Sequence, residues 1–171
     1  MALSVARSQS FFIDMEIDVV QLELRKNRKI FIDLPSDKIY SAITAAPLFC
    51  QEIGSLNIEH VAMLTMDNTN KVINYFIVAM GEIDKVKVPL SQMFRCALLS
   101  NASKIIIAHN HPSGILEITS KDIEMTKKIA LWASNFSIEL MDSLIVITND
   151  YISIREHCEE ISNGQKKRNK N

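Results

Sequence analysis

The sequence predicts an α/β domain, and three features carry that expectation. Short runs rich in β-branched and aromatic residues recur between turn-forming clusters, and stretches of helical periodicity lie between them. One wholly apolar run, Ile105 to Ala108, stands directly between two such helices and reads as a strand buried on both faces. The 171 residues, 47% of them apolar, are enough to enclose a sizeable core in one compact domain.

Taken in order, Val19 to Leu24 and Ile30 to Leu34 alternate in character around the basic run Arg25 to Lys29, which predicts a β-hairpin with a basic tip. Such a tip is either a phosphate contact or a solvated turn that discourages edge pairing. Ser36, after Pro35, caps a helix running to about Leu56, with Ile39, Ile43, Ala46, Phe49, Cys50 and Ile53 at helical spacing. Pro47 should kink that helix or split it, because an interior proline removes a backbone hydrogen bond. Ile58 to Met66, the turn Asp67 to Asn70, and Lys71 to Met80 form a stronger hairpin. Glu59 heads its first strand on the face of Val61 and Met63, either as a general base beside a metal or as an exposed strand-end carboxylate. His60 points the other way, as a structural or surface residue.

Leu90 to Asn101 is a helix with Met93, Phe94, Ala97 and Leu98 on one side and Cys96 in the core. Ser120 to Phe136 is another, with Trp132 as a core anchor. Ile138 to Thr148 and Tyr151 to Ile154 make a last hairpin about Asn149 and Asp150. The closing NGQKKRNKN lacks apolar residues. The expected organisation is an N-terminal β-hairpin extension over 1–35, the main domain over 36–161 and a disordered basic tail over 162–171.

A formal net charge of −1 supplies no global reason to bind nucleic acid or an acidic membrane. Cys50, Cys96 and Cys158 are odd in number, far apart and without CxxC spacing, which argues against a disulfide framework or a thiolate zinc site. The N-terminal stretch has no sustained apolar run before its first acids, so the expectation is a cytoplasmic protein with no membrane partner.

Residues 103–122, SKIIIAHNHPSGILEITSKD, hold the chemistry. Alternation along an extended segment sends His109 and His111 to one side, where they can share one ion. Pro112 and Gly114 turn the chain, and Thr119 opens a helix with Asp122 in its first turn. Two imidazoles and a carboxylate match three ligands plus an open position at a catalytic zinc. The same residues also read as a structural turn followed by a satisfied capping box.

The run HNHPSG, followed by Asp122 and Thr126, resembles the RadC-type branch of the JAB/MPN+ (JAMM) metalloprotein family, whose pattern is an upstream Glu, His-x-His-Pro and Ser-x-x-Asp. The likeness covers roughly residues 40–156. EHVAMLTMDNTNKVI is similar to the family's first core hairpin, QMFRCALLSNASKIIIAHNHPSG to its helix and metal strand, and MDSLIVITNDYISI to its closing hairpin. The resemblance implies a three-layer α/β/α fold with a mixed sheet, like that of cytidine deaminases. It also implies zinc on His109, His111 and Asp122, with Glu59 as the base that activates a water. The implied activity is hydrolysis of a peptide or isopeptide bond in a peptide or protein substrate, with the Thr119 hydroxyl helping to stabilise the oxygen that becomes negative.

Three departures stand out: Thr119 takes the place of the family Ser, Leu116 and Ile118 replace prolines after HNHPSG, and Asp142–Ser143 replaces Asp-His. The long N-terminal helical region of full-length RadC proteins, which resembles helix-hairpin-helix modules, has no counterpart here, which weakens a DNA role by inheritance. The alternative function is a non-catalytic metal-binding module in DNA repair or mobile-element maintenance, reaching nucleic acid through Arg25 to Lys29 and the tail. A purely structural zinc is disfavoured by the open coordination position. The sequence assigns no oligomeric state.

Overall fold

In the computed structural model, which describes residues 17, 23–33, 36–81 and 89–158, the apolar runs become five strands. They are β1 (Glu59–Met66), β2 (Val72–Gly81), β3 (Lys104–Asn110), β4 (Glu139–Val146) and β5 (Tyr151–Ser153). They form one sheet in the order β2-β1-β3-β4-β5, antiparallel at every junction except that of β3 with β4. That junction is parallel because a helix, α3 (Ser120–Asn135), carries the chain from the end of β3 back to the start of β4.

Alternation along the strands splits the core into two. Ala62, Leu64, Ile106, Ala108, Leu144 and Val146 face α1 (Ala42–Ile53), which covers them with Ala42, Ala45, Ala46, Phe49 and Ile53. Val61, Met63, Ile105, Ile107 and Leu140 face the other way, onto α2 (Leu90–Leu99) through Met93, Phe94 and Ala97 and onto α3 through Ile129 and Ala133. The result is the expected three-layer α/β/α arrangement about a mixed sheet. A short helix, α4 (Ile154–His157), follows β5 directly. No helix among the described residues is long and apolar enough to cross a membrane.

Several local expectations are corrected. Helix α1 starts at Ala42 with Ser41 as its N-cap, not at Ser36, and Thr44 Oγ1 accepts from the Ser41 N–H at 3.2 Å. Residues 37–39 instead run beside the start of β2: Ile39 N donates to the Asn70 carbonyl at 3.0 Å and Val72 N to the Asp37 carbonyl at 3.2 Å. Pro47 sits inside a single helix of 12 residues. The carbonyl that loses its donor belongs to Ile43, a residue 70% exposed, and the helix continues past it. Ile43 is therefore not a core residue, and neither are Leu98 (50% exposed) or Trp132 (45% exposed). The buried stripe of α3 is Asp122, Thr126, Ile129 and Ala133, and Trp132 lies beside it.

Of the N-terminal hairpin expected within 1–35, residues 23–33 are described and carry no strand. Ile30 and Ile32 pack on the α1 side of the core, Gln51 Nε2 donates to the Phe31 carbonyl at 3.2 Å, and Arg28 pairs with Glu52 of α1. Their alternation is answered by a helix surface instead of a sheet partner. The rest of both arms and the basic tail over 162–171 lie outside the described residues.

Two positions in the α1 layer generate measurable expectations. Gly54, which caps α1 at φ −61°, is small for reasons of space: a Cβ there would lie 2.3 Å from the Ile147 carbonyl oxygen. Gly54→Ala should lower the unfolding free energy in chemical denaturation by about 1–3 kcal/mol through that overlap. The Tyr75 ring lies 5.7 Å from that of Phe49, and its hydroxyl is buried with no hydrogen-bond partner among the described residues. Burial, reinforced by the Glu52 charge, pushes its phenol pKa well up. A raised folded-state pKa means that the unfolded chain releases this proton first, so stability falls as the pH rises above the ordinary tyrosine value of about 10. Tyr75→Phe should leave stability at pH 7 unchanged or raise it by up to about 1 kcal/mol. Melting curves between about pH 9 and 11 should show a shallower alkaline loss in the variant than in the wild type.

Candidate metal centre

Strand β3 is apolar until its last two residues, where the alternation delivers polar groups to opposite faces. Asn110 turns into the α1 side and is fully buried, with every hydrogen bond internal. Its Oδ1 accepts from His60 N at 2.7 Å, and its Nδ2 donates to the carbonyls of Leu56 at 3.0 Å and Ile58 at 3.1 Å. It thereby pins the entry of β1 to the exit of β3. His109 turns the other way, onto the α2 and α3 side, and is 1% exposed.

One residue on, His111 N donates to the Val146 carbonyl at 3.2 Å, which prolongs the pairing of β3 with β4 beyond the strand's end. The chain then turns tightly, with Gly114 N donating to the His111 carbonyl at 2.9 Å and Gly114 at φ +73°, a conformation that suits glycine. This turn brings the Ile115 carbonyl to 2.9 Å from His111 Nδ1. A carbonyl only accepts, so Nδ1 carries the proton and Nε2 keeps its lone pair free for a cation.

The His111 Nε2 atom lies 3.2 Å from His109 Nε2, which is itself 3.1 Å from Asp122 Oδ1. All three ligand atoms fall within 4.8 Å of one another. Nitrogen and oxygen ligands at 2.0–2.2 Å from a tetrahedral zinc stand about 3.3 Å apart, so the separations of His109 from His111 and from Asp122 fit two edges of such a site. The donor set can hold a divalent metal ion.

Asp122 reaches this point from the first turn of α3. Thr119 caps the helix, and the two residues form a reciprocal box in which Asp122 N donates to Thr119 Oγ1 at 3.3 Å. In return Asp122 Oδ2 accepts from Thr119 N at 2.8 Å and from the Thr119 hydroxyl at 2.6 Å. Burial alone would push the Asp122 carboxyl up, but hydrogen bonds from His109 and Thr119 outweigh it and hold the group well below the usual carboxylate range. One turn further along α3, the Thr126 hydroxyl donates to Ser143 Oγ at 2.9 Å and ties the helix to β4.

Glu59 opens β1, and the pairing of Val61 with His109, continued outward, brings it level with His111. Strand alternation puts it on the face of Val61 and therefore of His109. It is half-buried, with Oε2 shielded from solvent, unlike an exposed strand-end carboxylate. The structure thus brings His109, His111 and Asp122 together, sets Thr119 against Asp122, and places Glu59 at the adjoining strand end.

Sequence reasoning passed over Asn110, although a polar residue between two histidines must face the opposite, apolar side and needs partners there. It also missed the Ile115 carbonyl, which no side-chain pattern could reveal. The Asp142–Ser143 pair divides between the two faces: Ser143 meets Thr126, while Asp142 accepts from the Ser153 hydroxyl at 2.8 Å and from Ser143 N at 2.7 Å. Burial raises the Asp142 pKa in spite of those hydrogen bonds.

Comparison with known proteins meets this geometry from the other side. A family model described as the RadC-like JAB domain matches residues 39–160, a span that takes in α1, the whole sheet and all the residues of the candidate centre. The UPF0758 protein of Finegoldia magna is 32% identical over 154 residues, covering 90% of this chain and 66% of that protein. The UPF0758 protein of Methanococcoides burtonii is 30% identical over 134 residues, covering 78% and 58% respectively. That of Thermosynechococcus vestitus is 30% identical over 151 residues, covering 88% and 58%. This chain therefore spans less than two thirds of the length of each of these relatives. With the match running through strand, turn and helix alike, the chain belongs to the RadC-like JAB domain family.

Proposed function

We propose that this chain is a zinc-dependent hydrolase that opens a peptide or isopeptide bond with a water molecule. The observation that carries the reading is the gathering of one ligand atom each from His109, His111 and Asp122 within 4.8 Å, a three-ligand set that leaves a tetrahedral ion one position for solvent. Zinc held there supplies the Lewis acidity that makes water a nucleophile near neutral pH and polarises the carbonyl under attack.

The remaining work falls to the chain. Glu59, on the face of His109 at the head of β1, accepts the proton released as the water oxygen bonds to the carbonyl carbon. It returns that proton to the nitrogen as the C–N bond breaks, so the products are a carboxylate and an amine. The first turn of α3 points its N–H groups toward this end of the sheet, and its partial positive charge favours the developing oxyanion. The Leu116 and Ile118 loop makes the approach more apolar than the proline pattern of the family, so substrates with apolar flanks suit it. The three cysteines are free thiols, which accords with a reducing compartment, and we assign the activity to the cytoplasm.

The reading is tested by metal content and turnover together. Purified wild type should bind about one zinc per chain and His109→Ala should lose it, as expected when one of three protein ligands is removed. Glu59→Gln should keep its zinc yet lose about 10²–10⁴-fold in turnover on an amide or isopeptide library. Wild-type rates in Glu59→Gln would refute the assigned base. Stoichiometric zinc with no turnover by wild type, joined to salt-dependent DNA binding that survives Glu59→Gln, would replace the hydrolase with the non-catalytic module.

A further inference from the structure

We infer that this chain forms a twofold-symmetric dimer through the outer face of α1, in which Phe31 of each copy seats in a groove of the other between α1 and the turn from β4 to β5. The inference is independent of the metal centre, whose ligands lie on the opposite face of the sheet.

The groove holds about 430 Å³ and is lined by Ile43, Pro47 and Gln51 of α1 and, across from them, by Thr148, Asn149 and Tyr151. None of its lining residues carries a formal charge at neutral pH, so it suits an apolar, uncharged group. A cavity of about 150 Å³ accepts benzene, which leaves room here for a phenyl ring and the chain beside it. A matching knob stands next to the groove. Gln51 donates through Nε2 to the Phe31 carbonyl at 3.2 Å, yet the Phe31 side chain is 82% exposed and so lies outside its own chain's groove.

Phe31 projects because its neighbours are committed elsewhere. Ile30 and Ile32 pack on the α1 side of the core while Lys29, Phe31 and Asp33 alternate with them toward solvent, and Arg28 pairs with Glu52, whose side chain is only 8% exposed. A large aromatic held out on a pinned segment loses little backbone freedom on docking. A second copy is the occupant that matches, because knob and groove lie side by side on one face. A twofold axis near Gln51 carries each Phe31 into the other copy's groove, fills both and closes the assembly. The charges at the rim agree. Asp150, exposed between two lining residues, is negative, and Lys29, exposed two residues before Phe31, is positive, which sets the direction in which the segment crosses the groove.

The test is sedimentation equilibrium of the full chain in reductant, beside circular dichroism as a control for folding. Wild type should show a reversible monomer–dimer equilibrium. Phe31→Ala should raise the dissociation constant by about 10²-fold or more, because each dimer loses two seated aromatic anchors at once. Asn149→Trp, which fills the groove from an exposed turn position, should do the same. Both substitutions fall on exposed side chains and should leave the circular dichroism spectrum unchanged. Mixing the two variants separates this arrangement from any other. The intact groove of Phe31→Ala meets the intact ring of Asn149→Trp, so a heterodimer with one seated ring should form more tightly than the homodimer of either variant. A dimer as tight in Phe31→Ala as in wild type, or no gain on mixing, overturns the inference. A wild type that stays monomeric at every concentration overturns it too, and the groove then belongs to another segment of this chain or to a different protein.

Discussion

Three polar ligand atoms, two imidazole nitrogens and a carboxylate oxygen, are held within 4.8 Å of one another on two buried residues and one half-buried one, and much of the surrounding structure answers to that constraint. Lone pairs that converge in a poorly solvated space repel one another unless a proton or a cation lies between them. The fold must therefore hold the groups in place by other means. It does so with hydrogen bonds one step out: the Ile115 carbonyl on His111, both donors of Thr119 on Asp122, and Thr126 on Ser143. Each satisfies a polar atom and at the same time removes a rotation from a ligand or from the element that carries it.

Topology explains why these groups meet at all. The centre of the sheet is β3, paired on both edges and buried on both faces. Because β3 and β4 are parallel, the connection between them has to begin where β3 ends and return over one face as a helix. The N-terminus of α3 is thus delivered to the end of β3 by connectivity alone. Only the length of the turn from Pro112 to Ile118 and the first turn of helix remain to bring Asp122 opposite His109. The antiparallel neighbour β1 contributes Glu59 by register, and Asn110 secures that register on the opposite face.

What could be read from the sequence divides along the same line between local and distant causes. Strand β3 and the Thr119 cap depend on neighbouring residues and were legible as periodicity and capping chemistry, whereas the stripe of α3 was legible only at Thr126 and Ile129. The three-layer arrangement and the role of Glu59 came from the family resemblance, since nothing near Glu59 distinguishes it from any strand-end acid. Ser36 and Ser41 are equally good caps on paper, and Ile39 fits a helical stripe. Only the pairing of 37–39 with 70–72, a contact between distant parts of the chain, decides for Ser41. Ile30 and Ile32 do alternate, but their partner is the α1 side of the core. Trp132 and Leu98 lie at the margins of their stripes, where burial depends on how far the neighbouring layer extends and not on spacing.

The polar gradient along α3 bears on which cation the centre suits. Its buried face runs from Asp122 through Thr126 to Ile129 and Ala133, so the helix docks with its wet end at the ligands and its dry end in the core. The apolar end and the Thr126–Ser143 bond set how far the helix stands from β3 and β4, and the distance from Asp122 to His109 inherits that spacing. Calcium takes six to eight oxygen ligands at 2.3–2.6 Å in flexible geometry, and magnesium retains several waters, so neither matches two imidazoles and one carboxylate held this closely. A small ion that accepts imidazole nitrogen at about 2.0 Å suits this donor set better. The chemistry of the donor set is the physical reason for proposing zinc, not calcium, in the hydrolase reading.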